Sequence, residues 1–120
     1  MKAQIQHNQA TPEFDTAEKC FITEWSNTPD DAAASIARAR VAPGVTTQKH
    51  RLKFTAERYV ILQGRGFVEI GELPPQTVQP GDVVRIPPEC WQCISNTGTS
   101  DLVFLAICTP RFEVKNYESV

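Results

Sequence analysis

Apolar and polar residues alternate with a period of two along most of this chain. Glu57, Tyr59 and Ile61 fall on one face of Glu57–Leu62, and Phe67–Ile70 repeats the same spacing. Lys19–Trp25, Val83–Ile86 and Cys90–Ser95 read as further short strands, and Leu102–Cys108 as an apolar strand buried on both faces. Ala33–Val41 is rich in Ala and Arg, which suits a helix. Its alternation of Ile36, Arg38 and Arg40 with Ser35, Ala37 and Ala39 predicts a strand instead. Thr46–Lys53 and Gln76–Gln79 add short extended stretches.

Turn chemistry separates these segments. Asn27–Asp31, Pro43-Gly44, Gly71–Pro75, Pro80-Gly81-Asp82, Pro87-Pro88 and Asn96–Ser100 are all rich in Gly, Pro, Asn or Asp. Gly64-Arg65-Gly66 reads as the tight connection of a hairpin into Phe67–Ile70. About eight short strands with turns between them predict an all-β sandwich or barrel. Residues 1–17 are polar and read as a flexible arm, leaving 18–120 as one barrel domain.

Composition narrows the classes. At 120 residues and 41% hydrophobic, the chain makes one domain able to bury a core without staples. Twelve basic and fourteen acidic side chains give a net charge of -2 and no broad basic face for nucleic acid or an anionic membrane. No apolar run approaches the roughly 20 residues of a membrane span, and the first fifteen residues lack the apolar core of a signal peptide. A cytoplasmic protein with four free thiols (Cys20, Cys90, Cys93 and Cys108) is expected. Cys90 and Cys93 form a C-x-x-C pair, but on a strand they point to opposite faces, which disfavours a disulfide or a two-thiolate metal clip.

From Gly44 to Asn96 the chain resembles the two motifs of the cupin superfamily. The first motif reads G, five residues, H-x-H, three or four residues, E, six residues, G. Here Gly44, His50, Glu57 and Gly64 stand in register, with Leu52 in place of the second histidine. The second reads G, five residues, P-x-G, two residues, H, three residues, N. Here Gly81, Pro87 and Asn96 stand in register, with Glu89 in place of the glycine and Gln92 in place of the histidine. The resemblance, to small bacterial single-domain cupins, implies an antiparallel double-stranded β-helix, a jelly-roll barrel with one pocket inside and a tendency to form homodimers.

The resemblance also implies a metal centre, of which this chain keeps His50 and Glu57 and offers Gln92 as a third donor. Nitrogen and oxygen donors suit zinc, iron, manganese, nickel or cobalt, and three ligands leave positions open for substrate. Equally, His50 and Glu57 make a hydrogen-bonded pair with Gln92 as a polar wall. Gln48 and Leu52 share a face with His50, and Cys90 shares one with Gln92, so all three are pocket candidates. Tyr59 is a candidate proton donor on the face of Glu57. Arg40 is a pocket candidate for an anionic substrate if its face is inward, and a solvated surface residue if it is not. Three functions follow: a metal-dependent enzyme acting on a small polar organic molecule, a non-catalytic small-molecule binding or sensing module, or an oligomerising structural protein with a vestigial pocket.

Overall fold

Inward-facing residues of the central strands define the barrel in a computed structural model that describes all of residues 1–120. The strands are β1 (Phe14–Asp15), β2 (Phe21–Ser26), β3 (Ser35–Val41), β4 (His50–Leu52), β5 (Ala56–Gln63) and β6 (Gly66–Ile70). They continue as β7 (Gln76–Val78), β8 (Val83–Ile86), β9 (Gln92–Asn96), β10 (Leu102–Thr109) and β11 (Tyr117–Ser119). Every ladder is antiparallel. One sheet runs β1-β2-β3-β10-β5-β8 and the other β11-β4-β9-β6-β7. The two form a single domain with the core between them, built from Val41, Ile61, Val68, Ile94, Leu102 and Phe104 among others. No helix is long and apolar enough to cross a membrane.

Ala33–Val41 resolves as strand from Ser35 onward. Pairing with β2 on one side and β10 on the other overrides its helical propensity. Leu102–Cys108 lies, as β10, between β3 and β5, with Leu102, Val103, Phe104 and Cys108 buried but Leu105, Ala106 and Ile107 only half-buried, so its second face is covered in part.

Gly64 does not make a hairpin. β5 pairs with β10 and β8, while β6 pairs with β7 and β9, so the Gly64-Arg65 connection carries the chain from one sheet to the other. Gly64 has φ +85°, and a Cβ there would stand 2.6 Å from the Asp101 carbonyl oxygen. Only glycine fits that crossing. Asn96, the last position of the second motif, is a turn brace. Its buried amide donates to the Val41 and Ser100 carbonyls and accepts from the Gly98 N–H.

Both ends of the chain join the barrel. Phe14 and Asp15 pair with Ile22 and Phe21, and Glu13 bonds Arg40 at 2.7 and 3.0 Å. Beyond Pro110 the tail returns as β11 and pairs with β4, Tyr117 opposite Leu52 and Ser119 opposite His50.

Candidate functional site

Two strand pairs, one in each sheet, build the site. In one sheet His50 of β4 lies opposite Gln92 of β9. In the other, Glu57 of β5 lies opposite Cys108 of β10. The period-two pattern of β5 turns Glu57, Tyr59 and Ile61 inward together, and all three are buried. His50, Glu57 and Gln92 are 6%, 8% and 1% exposed, so the polar centre is almost wholly withdrawn from solvent.

Gln92 links the sheets. Its Nε2 donates to Glu57 Oε1 at 2.8 Å, while its Oε1 accepts the hydroxyl proton of Tyr59. Both ends of the amide are therefore engaged. Glu57 Oε2 is left with only a weak thiol donor, Cys108 Sγ at 3.7 Å. The Tyr59 ring rests on Phe104, with centroids 4.4 Å apart.

His50 is oriented from three sides. Its Nδ1 lies 2.8 Å from the Gln48 carbonyl oxygen, which can only accept, so Nδ1 carries a proton and, in the neutral ring, Nε2 carries the lone pair. Glu18 Oε2 lies 3.6 Å from the same nitrogen. The Tyr117 ring stacks on the imidazole at 5.1 Å and 21°. Glu18 is itself fixed through its backbone, whose carbonyl accepts from the Gln48 N–H at 2.8 Å.

Burial dominates the electrostatics. It raises the carboxyl pKa values of Glu57 and Glu18, opposed by the Gln92 hydrogen bond and then His50 at Glu57, and by His50 at Glu18. Burial and then the nearby Glu57 hold the Tyr59 hydroxyl protonated well above its ordinary range. Burial also pushes the Cys20 thiol up to about 12 and the Cys108 thiol higher still.

Two cavities adjoin these groups. An inner chamber of about 40 Å³ is walled by His50, Glu57, Tyr59, Thr47, Ile94 and Phe104 among others. A larger one of about 120 Å³ opens at the barrel mouth against Phe14, Glu24, Ser35, Ile36, Cys108 and Phe112. Both have Glu18 and Glu57 in their walls.

His50, Glu57, Gln92 and Tyr59 thus come together. Of these, His50, Glu57 and Tyr59 line the cavities; Gln92 and the remaining pocket candidates line neither. Gln48 contributes its backbone. Leu52 is buried in the sheet opposite Tyr117.

Cys90 falls in the turn before β9, with Glu89 at φ +66°, so strand alternation begins only at Gln92. Its thiol packs beside Gly71 instead. Arg40 faces outward, bonded to Glu13 and Asp101 and lying 4.3 Å over the Phe21 ring.

Glu18, Tyr117 and Cys108 were not legible as site residues. Glu18 follows a polar arm and Tyr117 sits in a polar tail, and only the long-range pairing of both termini brings them to His50.

The donors fit a resident metal poorly. No group of three or more His, Cys, Asp and Glu side chains is placed to hold an ion. The Gln92 oxygen is occupied by Tyr59, and the Glu57 carboxyl is biased toward its neutral form. One feature points the other way: an imidazole held by a backbone carbonyl at Nδ1, with Nε2 open, is also how metal-binding histidines are oriented.

A family profile described as "Cupin domain" matches residues 37–108. The chain belongs to the cupin family. Among solved structures, this cupin is similar to KdgF from Halomonas sp., with a TM-score of 0.75 and 16% identity over 88% of this chain and 93% of that one. It is similar to Pac13, a nucleoside dehydratase, with a TM-score of 0.79 and 15% identity over 100% of this chain and 92% of that one. A conserved Klebsiella pneumoniae protein with a double-stranded β-helix domain gives a TM-score of 0.76 and 12% identity over 99% and 98% of the two chains. At these identities the likeness is one of fold. No curated protein matches the chain.

Proposed function

We propose that this cupin is an enzyme that moves a proton on a small polar organic molecule, without a resident metal. His50 Nε2 is the base and the Glu57 carboxyl is the acid. Gln92 and Tyr59 are positioning residues that hold the acid in place. The observation that carries this reading is the Tyr59–Gln92–Glu57 chain, which fixes a buried carboxyl by one oxygen and leaves Oε2 free to carry the proton. Facing it across the inner chamber is an imidazole whose tautomer leaves Nε2 basic. Loss of water from a hydroxylated substrate needs one proton taken from carbon and one given to the leaving oxygen. Such a pair can supply both, and Pac13, a nucleoside dehydratase, is an example of that chemistry on this fold.

The test is deuterium incorporation or loss of water from a panel of hydroxylated small molecules that includes uridine, with tag-free, chelator-washed protein in D2O. Turnover that falls roughly a hundredfold or more in both His50→Gln and Glu57→Gln supports the reading. Full turnover in either variant overturns it. Ligand binding without turnover across the panel leaves a binding or sensing module in its place.

The second reading is a divalent transition metal on His50, Glu57 and Gln92, favoured by the orientation of His50. It requires the Gln92 oxygen to leave Tyr59. Elemental analysis decides it: stoichiometric zinc, iron, manganese, nickel or cobalt in protein purified without added metal establishes the ion. We also propose that the protein works in the reducing cytoplasm, in keeping with its four free thiols. A homodimer is supported by the open edges of β7 and β8, with Leu73 and Val83 exposed beside them. Light scattering on the purified chain checks it.

A further inference from the structure

The mouth cavity has a wall of one charge sign. Its ionisable carboxylates are Glu18, Glu24 and Glu57, and no Lys, Arg or His side chain lines it. Nearby basic groups are turned away. Arg111 is bonded to Asn27 Oδ1 at 3.0 Å and lies 3.7 Å from Glu113, outside the lining, while Arg38 and Arg40 face Glu13 on the outer surface. Most of the remaining wall is apolar, with Phe14 and Phe112 both in it and Ile36 between the polar groups. At about 120 Å³ the cavity is smaller than the roughly 300–1,000 Å³ of a pocket for a drug-sized ligand. Behind it, in the inner chamber, His50 is 6% exposed and its Nε2 has no protein partner.

These features select a ligand class. A carboxylate or phosphate meets no basic side chain in this wall, only the acidic Glu18, Glu24 and Glu57, of which Glu18 and Glu57 are biased toward their neutral forms by burial. A hydrated metal ion gains nothing from the aromatic and aliphatic wall, and the carboxylates are not clustered to strip its water. A small organic ammonium group satisfies both parts: its charge faces the acidic side chains and its carbon skeleton covers the apolar wall, which includes Phe14 and Phe112. We infer that the mouth of this barrel binds small organic ammonium compounds and rejects anions. The ammonium group sits at Glu24, the one carboxylate of the wall that the inner chamber does not share, so the rest of the molecule is directed toward Glu18 and Glu57. This rests on the reading of the barrel interior as the ligand site and names the chemistry of what enters it.

The experiment is a titration of the full chain, followed by the backbone amide resonances of Ser35, Ala37, Ala106 and Phe112, with n-butylammonium, tetramethylammonium, 1-butanol and butyrate. The expected result is that both ammonium ions shift these resonances and bind roughly tenfold tighter than butyrate. Glu24→Gln is expected to weaken ammonium binding severalfold and to leave 1-butanol unchanged, which also shows that the variant is folded. If 1-butanol enters but the ammonium ions bind no tighter than butyrate, the ligand class is wrong and the pocket stands. If none of the four probes shifts these amides, both the ligand class and the reading of the barrel interior as the site fall. If magnesium or calcium chloride shifts the same amides at lower concentration than the ammonium ions, the cavity is a metal-ion site and the inference is overturned.

Discussion

Gln92 joins the two sheets of the barrel to one another through Glu57, its Nε2 standing 2.8 Å from Oε1 of that carboxyl. The bond crosses the interior at the point where the resemblance to cupins places a histidine. The Gln92 side chain is also the acceptor for Tyr59, so one amide satisfies two buried polar groups.

Removing that amide strands both partners. Gln92→Leu keeps the volume but leaves the Glu57 carboxyl and the Tyr59 hydroxyl buried without their main partner. Each such group costs about 1–3 kcal/mol. The expected loss is therefore roughly 2–6 kcal/mol, read from urea unfolding. Tyr59→Phe strands one acceptor only, Gln92 Oε1, and is expected to cost about half of that. Equal losses from the two variants contradict the bridging role.

The same position decides the site's affinity for metals. Leu52→His combined with Gln92→His brings the chain to the family's donor pattern and frees the centre from the neutral amide. The double variant is expected to bind cobalt(II) with a visible ligand-field band, while the native chain shows none at equal concentration. A native chain that binds cobalt as strongly as the double variant restores the metal-dependent reading.

How far this site is legible in the sequence depends on whether its contacts are local. Glu57, Tyr59 and Ile61 turn inward because a strand has period two, and that period is written in the residue order. His50, Glu57 and Gln92 were recoverable from spacing within the two motifs. Arg40 was ambiguous because alternation tells which residues share a face and not which face is inward. That choice is fixed by Glu13, twenty-seven residues away on the arm. Cys90 was misplaced by two residues, because a left-handed Glu89 delays the start of β9. Glu18 and Tyr117 reach His50 only through tertiary pairing of the chain ends, and nothing near them in sequence carries that information.

Stability should fall as pH rises from mildly acidic values. Folding raises the Glu57 and Glu18 carboxyls above their ordinary 4.5 through burial, so the folded chain holds protons that the unfolded chain has released. Their contribution is fully present below 4.5 and is lost as pH climbs through the raised folded values. Glu13 and Glu118 act in the opposite sense: hydrogen bonds from Arg40 and Arg51 lower them, so what they add is present above 4.5 and lost as pH falls below it. Melting temperature is thus expected to peak near the ordinary carboxyl range. Glu57→Gln should flatten the decline on the alkaline side and leave the acid side unchanged. An alkaline limb as steep in the variant as in the native chain removes Glu57 as its cause.

Tyr117 tests whether the tail serves the site. Tyr117→Phe keeps the ring that stacks on His50, and Tyr117→Ala removes it. The alanine variant should lower turnover without displacing the Nδ1 proton, which the Gln48 carbonyl still holds. The imidazole nitrogen shifts report that tautomer directly. Phenylalanine should restore turnover. If alanine and phenylalanine behave alike, the stack is packing of β11 and has no part in orienting the base.

The arm is expected to guard the buried thiols as well as the pocket. Burial holds Cys20 near 12 and Cys93 near 11 and pushes Cys108 higher, so little thiolate is present on any of them at neutral pH. Cys90 is only half-buried and is the one thiol expected to react with dithiobis(nitrobenzoate) in the native chain within minutes. Cys108 lines the mouth cavity beneath Phe14 and Thr16. A chain shortened to begin at residue 19 loses that cover together with Glu18, the carboxylate whose charge also disfavours the Cys108 thiolate. Further thiols should therefore react faster, and peptide mapping should place new label on Cys108 as well as on Cys20, which the truncation leaves next to the chain end without Glu18. Label that stays on Cys90 alone in the folded shortened chain shows that the mouth is closed by the barrel strands themselves and that the arm is not its cover.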